Sequence, residues 1–181
     1  EISNPSKYRS LLDLNNWLKK NKIVGITGLD TRSLTNYIRD KGAPKGTISN
    51  NKTGKFNINK LIRTSIKWPG LNGMDLAEVV TTQKSYTWKG LKTWSKKNGY
   101  LKNKKKLFKI IAIDYGIKKN ILRYFSNFYC DVIVVPCDAS AEYIMTLKPS
   151  GIFLSNGPGD PAATGKYAIK IIKNLIKKGL P

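Results

Sequence analysis

The sequence predicts an α/β protein whose carboxyl-terminal part is an incomplete parallel sheet flanked by helices, preceded by part of a smaller mixed α/β domain. Three observations predict it. Between residues 109 and 178 short β-branched runs alternate with amphipathic stretches, which is how βα units read when both sheet faces are covered. Between residues 95 and 106 the composition turns to Lys, Asn and Gly with few apolar anchors, as in a solvated connection. The closing Gly179-Leu180-Pro181 has the form of a turn into another strand. The expected organisation is a first domain over 1–94, a lysine-rich linker over 95–106 and the sheet domain over 107–181.

In the first domain, Ser10 to Asp13 reads as a capping box ahead of a short helix bearing Leu14, Trp17 and Leu18. Ile23 to Ile26 is strand-like. Asp30 or Thr31 caps a second helix with Leu34, Tyr37 and Ile38 on one face and Gly42 as terminator. Thr47 to Ser49 predicts another short strand. A third helix runs from Ile58 to Ile66 and ends at Trp68-Pro69-Gly70, after which Leu76 to Thr82 returns the chain to this domain. In the second domain the expected order is strand 109–114, helix 118–128, strand 131–135, helix 141–147, strand 152–155 and helix 167–178.

Composition narrows the function classes. A hydrophobic fraction of 40% over 181 residues suits a globular protein. No run approaches the roughly 18 apolar residues that span a bilayer. From Glu1 onward neither a basic n-region nor an apolar h-region is visible, so the expectation is a cytoplasmic protein with no membrane partner, of which this chain is an internal fragment. The net charge of +22 would fit a nucleic-acid partner, but 28 of the 33 basic residues are lysine and only five are arginine. Lys, Asn and Ile all come from A/T-rich codons, and no nucleic-acid motif is present. A specific nucleic-acid function is therefore not expected. Histidine is absent, which removes Cys-His and Ser-His catalytic pairs and His metal sites from these residues. Cys130 and Cys137 match no zinc or redox spacing and read as buried, inert thiols.

The stretch most suggestive of chemistry is Leu154-Ser155-Asn156-Gly157-Pro158-Gly159-Asp160-Pro161, where an apolar strand runs into two glycines around a proline. Glycine permits close approach and positive φ, and proline fixes the residue between. Such a rim at a strand's carboxyl end exposes backbone N–H groups where open α/β sheets bind ligands. A tight connection without a ligand is the competing reading. Gly165-Lys166 imitates a P-loop, but the spacing is one residue too long and Tyr167 stands where Ser or Thr would hold magnesium. No G-x-G-x-x-G follows a strand. Asp114-Tyr115-Gly116 reads as a strand-ending turn with a structural role.

The second domain resembles the class I glutamine amidotransferases, in which a strand ending in G-P-G-D-P forms part of the glutamine pocket. Gly28 to Thr35, Ile38 to Gly42, Pro69 to Ala77, Val80-Thr81-Thr82 and Asp114 to Arg123 are similar to the carbamoyl phosphate synthetase small-subunit family, and the likeness spans essentially the whole chain. It implies that 1–94 is the carboxyl-terminal portion of that subunit's first domain. It also implies that 107–181 is the opening part of its amidotransferase domain, ending before the nucleophile.

The resemblance implies a ligase in which glutamine is hydrolysed through a cysteine thioester. Ammonia passes to a large subunit that uses ATP, magnesium and bicarbonate to make carbamoyl phosphate, a precursor in arginine and pyrimidine synthesis. It assigns L-glutamine binding to Gly157 and Gly159, no cofactor to this chain, and the large subunit as partner. The family's nucleophile elbow and its His and Glu partners have no counterpart here, so no catalytic residue is assigned and the chain alone is expected to be inactive. A side chain at Gly159 is expected to crowd the ligand and leave the fold intact. A degenerate scaffold for the large subunit is the alternative.

Overall fold

The computed structural model describes residues 4–7, 9–102 and 105–181. They form two compact units, Glu1–Leu71 and Asn72–Pro181. In the first, helices α1 (Leu14–Lys20), α2 (Thr31–Lys41) and α3 (Ile58–Lys67) are joined by extended segments. Each starts where a short polar side chain satisfies an otherwise orphan N–H: Asp13 accepts from Asn16, Asp30 from Arg32 and Ser33, and Asn57 from Lys60. The expected capping box is thus corrected. Asp13 itself is the cap, while the Ser10 hydroxyl donates to the Leu12 carbonyl.

The strands expected at 23–26 and 47–49 are not formed. Apolar extended segments become strands only when a neighbour takes their N–H and C=O groups, and among the described residues no strand pairs with either. Thr47 instead hydrogen-bonds through its hydroxyl to Ser65 on α3 at 2.6 Å. None of the described residues of this unit is buried.

The second unit is built on a four-stranded sheet. The chain forms α4 (Leu76–Val80), β1 (Tyr86–Trp88), a hairpin of β2 (Gly90–Ser95) and β3 (Gly99–Lys102), then β4 (Phe108–Asp114), α5 (Lys119–Asn127), β5 (Cys130–Pro136), α6 (Ala141–Thr146), β6 (Gly151–Leu154) and α7 (Pro161–Ile176). The sheet order is β1-β5-β4-β6, with β4 parallel to both neighbours and β1 antiparallel at the edge.

Alternation along the strands distributes two cores. Ile111, Ile113 and Val135 join Ile144, Ala168 and Leu175 of α6 and α7, whereas Ala112, Val132 and Val134 join Leu122 of α5. A strand buried on both faces must be apolar throughout, so its side-chain period of two is hidden in the sequence. Each fully buried Ile or Leu contributes about 1.5–3 kcal/mol.

The expected domain boundary at 95–106 lies elsewhere in the structure, because residues 72–88 are fastened to the sheet. Asp114 accepts the Thr82 N–H at 2.9 Å, the Cys137 N–H donates to the Thr81 hydroxyl at 2.9 Å, and β1 lies along β5. The expected linker contains the end of β2, its turn and β3, with Trp94 opposite Tyr100. Helix α7 begins at Pro161, six residues before the expected start, because Asp160 and Pro161 form an N-cap and first-turn pair. Past α7 the Pro181 carbonyl accepts the Ile152 N–H of β6 at 2.8 Å.

Candidate functional site

Strand β6 ends at Leu154, and Ser155 to Asp160 cross its carboxyl end before α7 begins. The Ser155 N–H still donates to the Ile113 carbonyl of β4 at 3.2 Å, so the turn leaves the sheet only after that residue. The Ser155 hydroxyl accepts the Tyr115 N–H at 2.9 Å, and Asn156 donates its amide hydrogen to the Gly116 carbonyl at 3.1 Å. These bonds bring the Asp114-Tyr115-Gly116 turn beside Asn156 to Gly159.

The two glycines are required by the protein's own backbone. A Cβ on Gly157 would lie 2.2 Å from the Tyr115 carbonyl oxygen, which no rotamer could relieve. At Gly159, φ is +90° and a Cβ would sit 2.6 Å from the Met74 carbonyl and 2.8 Å from the Leu76 nitrogen. The expectation that a side chain at Gly159 would disturb only a ligand is therefore corrected: it would first displace residues 74–76.

Among the described residues the N–H groups of Gly157 and Gly159 have no hydrogen-bond partner. Both glycines line a cavity of about 330 Å³ together with Tyr115, Pro158, Thr164 and Ile172. Burial pushes the Tyr115 hydroxyl up to about 12, and its oxygen has no partner among the described residues. Two unpaired amides beside a largely apolar cavity can donate to the oxygens of a small polar ligand and can hold a developing oxyanion. That Tyr115 lines this cavity was not legible in the sequence, where it stood only as part of a strand-ending turn.

Neither cysteine joins this site. Both are buried thiols. Burial pushes the Cys130 thiol up, the opposite of what activates a nucleophile. Cys137 accepts the Tyr167 hydroxyl hydrogen at 3.4 Å, and Tyr167 is itself raised by burial. Among the described residues no group of three His, Cys, Asp or Glu side chains could hold a metal ion. Asp114 accepts three backbone N–H groups, from Thr82, Gly116 and Ile117, and so acts as a staple, the structural role expected for this turn.

Residues 111–181 match the family model of glutamine amidotransferase class-I, and residues 1–48 that of the carbamoyl-phosphate synthase small chain, CPSase domain. Over 180 residues, 99% of this chain, the sequence is 48% identical to the carbamoyl phosphate synthase small chain of Bradyrhizobium diazoefficiens, of which it covers 45%. Nearly the whole chain is thus similar to part of the carbamoyl phosphate synthase small chain.

Other relatives show the same likeness. The carbamoyl phosphate synthase small chain of Rhizobium meliloti is 46% identical over all of this chain and 45% of its own length, and that of Zymomonas mobilis 45% identical over all of this chain and 48% of its own. The chain thus spans about half the length of the curated small chains it matches. The amidotransferase match begins inside β4 and takes in the Gly157 to Gly159 turn.

Proposed function

We propose that this chain is the glutamine-cradling part of a glutamine-hydrolysing carbamoyl phosphate synthase small chain. L-glutamine is held at Gly157 and Gly159, and the ammonia released passes to a large chain that uses ATP, magnesium and bicarbonate to form carbamoyl phosphate. The observation that carries this reading is the pair of unpaired amides at Gly157 and Gly159, set beside a cavity at the carboxyl end of a sheet strand, within a stretch that matches class I glutamine amidotransferases. Backbone donors fixed in place before the reaction stabilise a tetrahedral oxyanion without reorganising, which is the largest single contribution in many acyl transfers.

The residues of this stretch bind and orient; the nucleophile and its base come from outside them. With no histidine and both thiols buried, the 181 residues alone cannot form the activated thiolate that glutamine hydrolysis needs. No helix among the described residues is long and apolar enough to cross a membrane, and we place the reaction in the cytoplasm.

The test is a steady-state assay of the full-length protein with its large chain. Carbamoyl phosphate formation driven by glutamine supports the reading. Formation from free ammonia but not from glutamine overturns it and leaves a scaffold for the large chain. Ammonia release by the 181-residue chain alone would overturn the assignment of the nucleophile to other residues.

A further inference from the structure

The turn bearing Gly157 and Gly159 is held by residues far from it in sequence. The Gly73 N–H donates to Asp160 Oδ2 at 2.8 Å, and the Asp160 N–H donates to the Met74 carbonyl at 2.9 Å. The Thr164 hydroxyl donates to Asp75 Oδ1 at 3.0 Å. Residues 73–75 are thus stitched to residues 160–164 across 87 and 89 positions of chain. Between the stitches the two backbones touch, since a Cβ on Gly159 would lie 2.6 Å from the Met74 carbonyl.

Asp160 divides its two oxygens between these tasks. Oδ1 accepts the Ala162 N–H at 2.9 Å and caps α7, while Oδ2 takes the Gly73 N–H. The Gly73 bond, followed by the Ala162 bond, holds the carboxyl below its ordinary range. Capping alone does not require aspartate, because asparagine caps helices equally well with its one acceptor oxygen. Two amide donors converging on opposite oxygens do require a carboxylate, since an asparagine would turn its NH₂ toward one of them.

We propose that Asp160 is a positioning residue for the glutamine pocket: by tying Gly73 to Asp75 beneath Gly159, it fixes the direction in which the Gly157 and Gly159 amides point. The inference rests on the glutamine reading above and adds to it the segment that holds the turn in place.

The test uses the full-length protein with its large chain and compares wild type, Asp160→Asn, Thr164→Val and Ser140→Ala. The last removes an N-cap of α6, where the Ser140 hydroxyl accepts the Tyr143 N–H, away from the turn. D160N is expected to raise the glutamine KM about tenfold, with ammonia-driven synthesis and S140A kinetics within about twofold of wild type. T164V is expected to shift KM in the same direction by a smaller factor, and it carries the test if D160N does not fold. A wild-type KM in D160N, or in T164V where D160N is unfolded, overturns the inference while leaving the glutamine reading standing. An equal KM rise in S140A overturns it as well, because general loosening would then suffice. Wild-type protein that does not use glutamine overturns the functional reading and the inference with it.

Discussion

The Asp114 carboxylate, at the end of β4, accepts the N–H of Thr82 at 2.9 Å and thereby joins residues 32 positions apart. Its other oxygen accepts the N–H groups of Gly116 and Ile117, both at 2.9 Å. One side chain thus closes the DYG turn and anchors the segment arriving before the sheet. With Asp114 only 6% exposed, each amide would otherwise be stranded where water replaces it poorly.

Asp114→Asn is expected to destabilise the second unit by about 2–3 kcal/mol, because one of the two acceptor oxygens becomes a donor facing buried N–H groups. Native-state amide exchange at Ile111 and Ile113, which report this sheet, checks the value. Protection unchanged from wild type would show that the staple is dispensable.

Gly157→Ala and Gly159→Ala are each expected to cost about 2–4 kcal/mol, from backbone overlap at the first and from overlap plus positive φ at the second. Denaturant midpoints followed by a second-unit tryptophan such as Trp88 give the comparison. The two losses arise against different neighbours, Tyr115 and Met74.

The Asp160 bonds have a pH signature. The folded carboxyl lies below its ordinary value of 3.8, with the Gly73 hydrogen bond the largest cause. A depressed folded value contributes stability above the unfolded pKa, and that contribution is lost as pH falls through the folded one. The amide resonances of Gly73 and Ala162 are therefore expected to titrate together below pH 3.8, each following the same carboxylate. Independent titration would separate the cap from the tie.

The hairpin is held to α5 by stacked cations. The Arg123 guanidinium lies 3.7 Å from the Tyr100 ring centre and 5.6 Å from that of Trp88, and Lys92 lies 4.3 Å from the Tyr124 ring. Arg123→Lys is expected to loosen β2 and β3 by about 1 kcal/mol, since the planar guanidinium stacks where an ammonium does not. Faster amide exchange at Trp94 and Tyr100, with Ile111 unchanged, is the expected readout.

What could be read from the chain divides by the range of the interaction. The βα order of the second unit was legible because β-branched runs, amphipathic spacing and punctuating glycines are local signals, and the Gly157 to Gly159 turn stood out because its residue types are rare in combination. The start of α7 was missed because Thr164 and Gly165 interrupt the apolar spacing, while the signal that decides it is the Asp160-Pro161 cap. The hairpin was missed because a lysine-rich surface hides strands whose inward contacts are few aromatic rings and one arginine.

By itself the sequence determined the α/β class, the position of the glycine turn, the absence of a histidine-based catalytic pair and the family likeness, all of which reside in residue type and short-range order. Only the tertiary structure decided that residues 72–88 belong with the sheet, that Tyr115 borders the cavity, and that the two glycines are glycines because other backbone lies against them. Those outcomes depend on close approach between segments tens of residues apart. The contacts responsible, from Asp114 to Thr82 and from Asp160 to Gly73, are single hydrogen bonds that leave no periodicity in the chain.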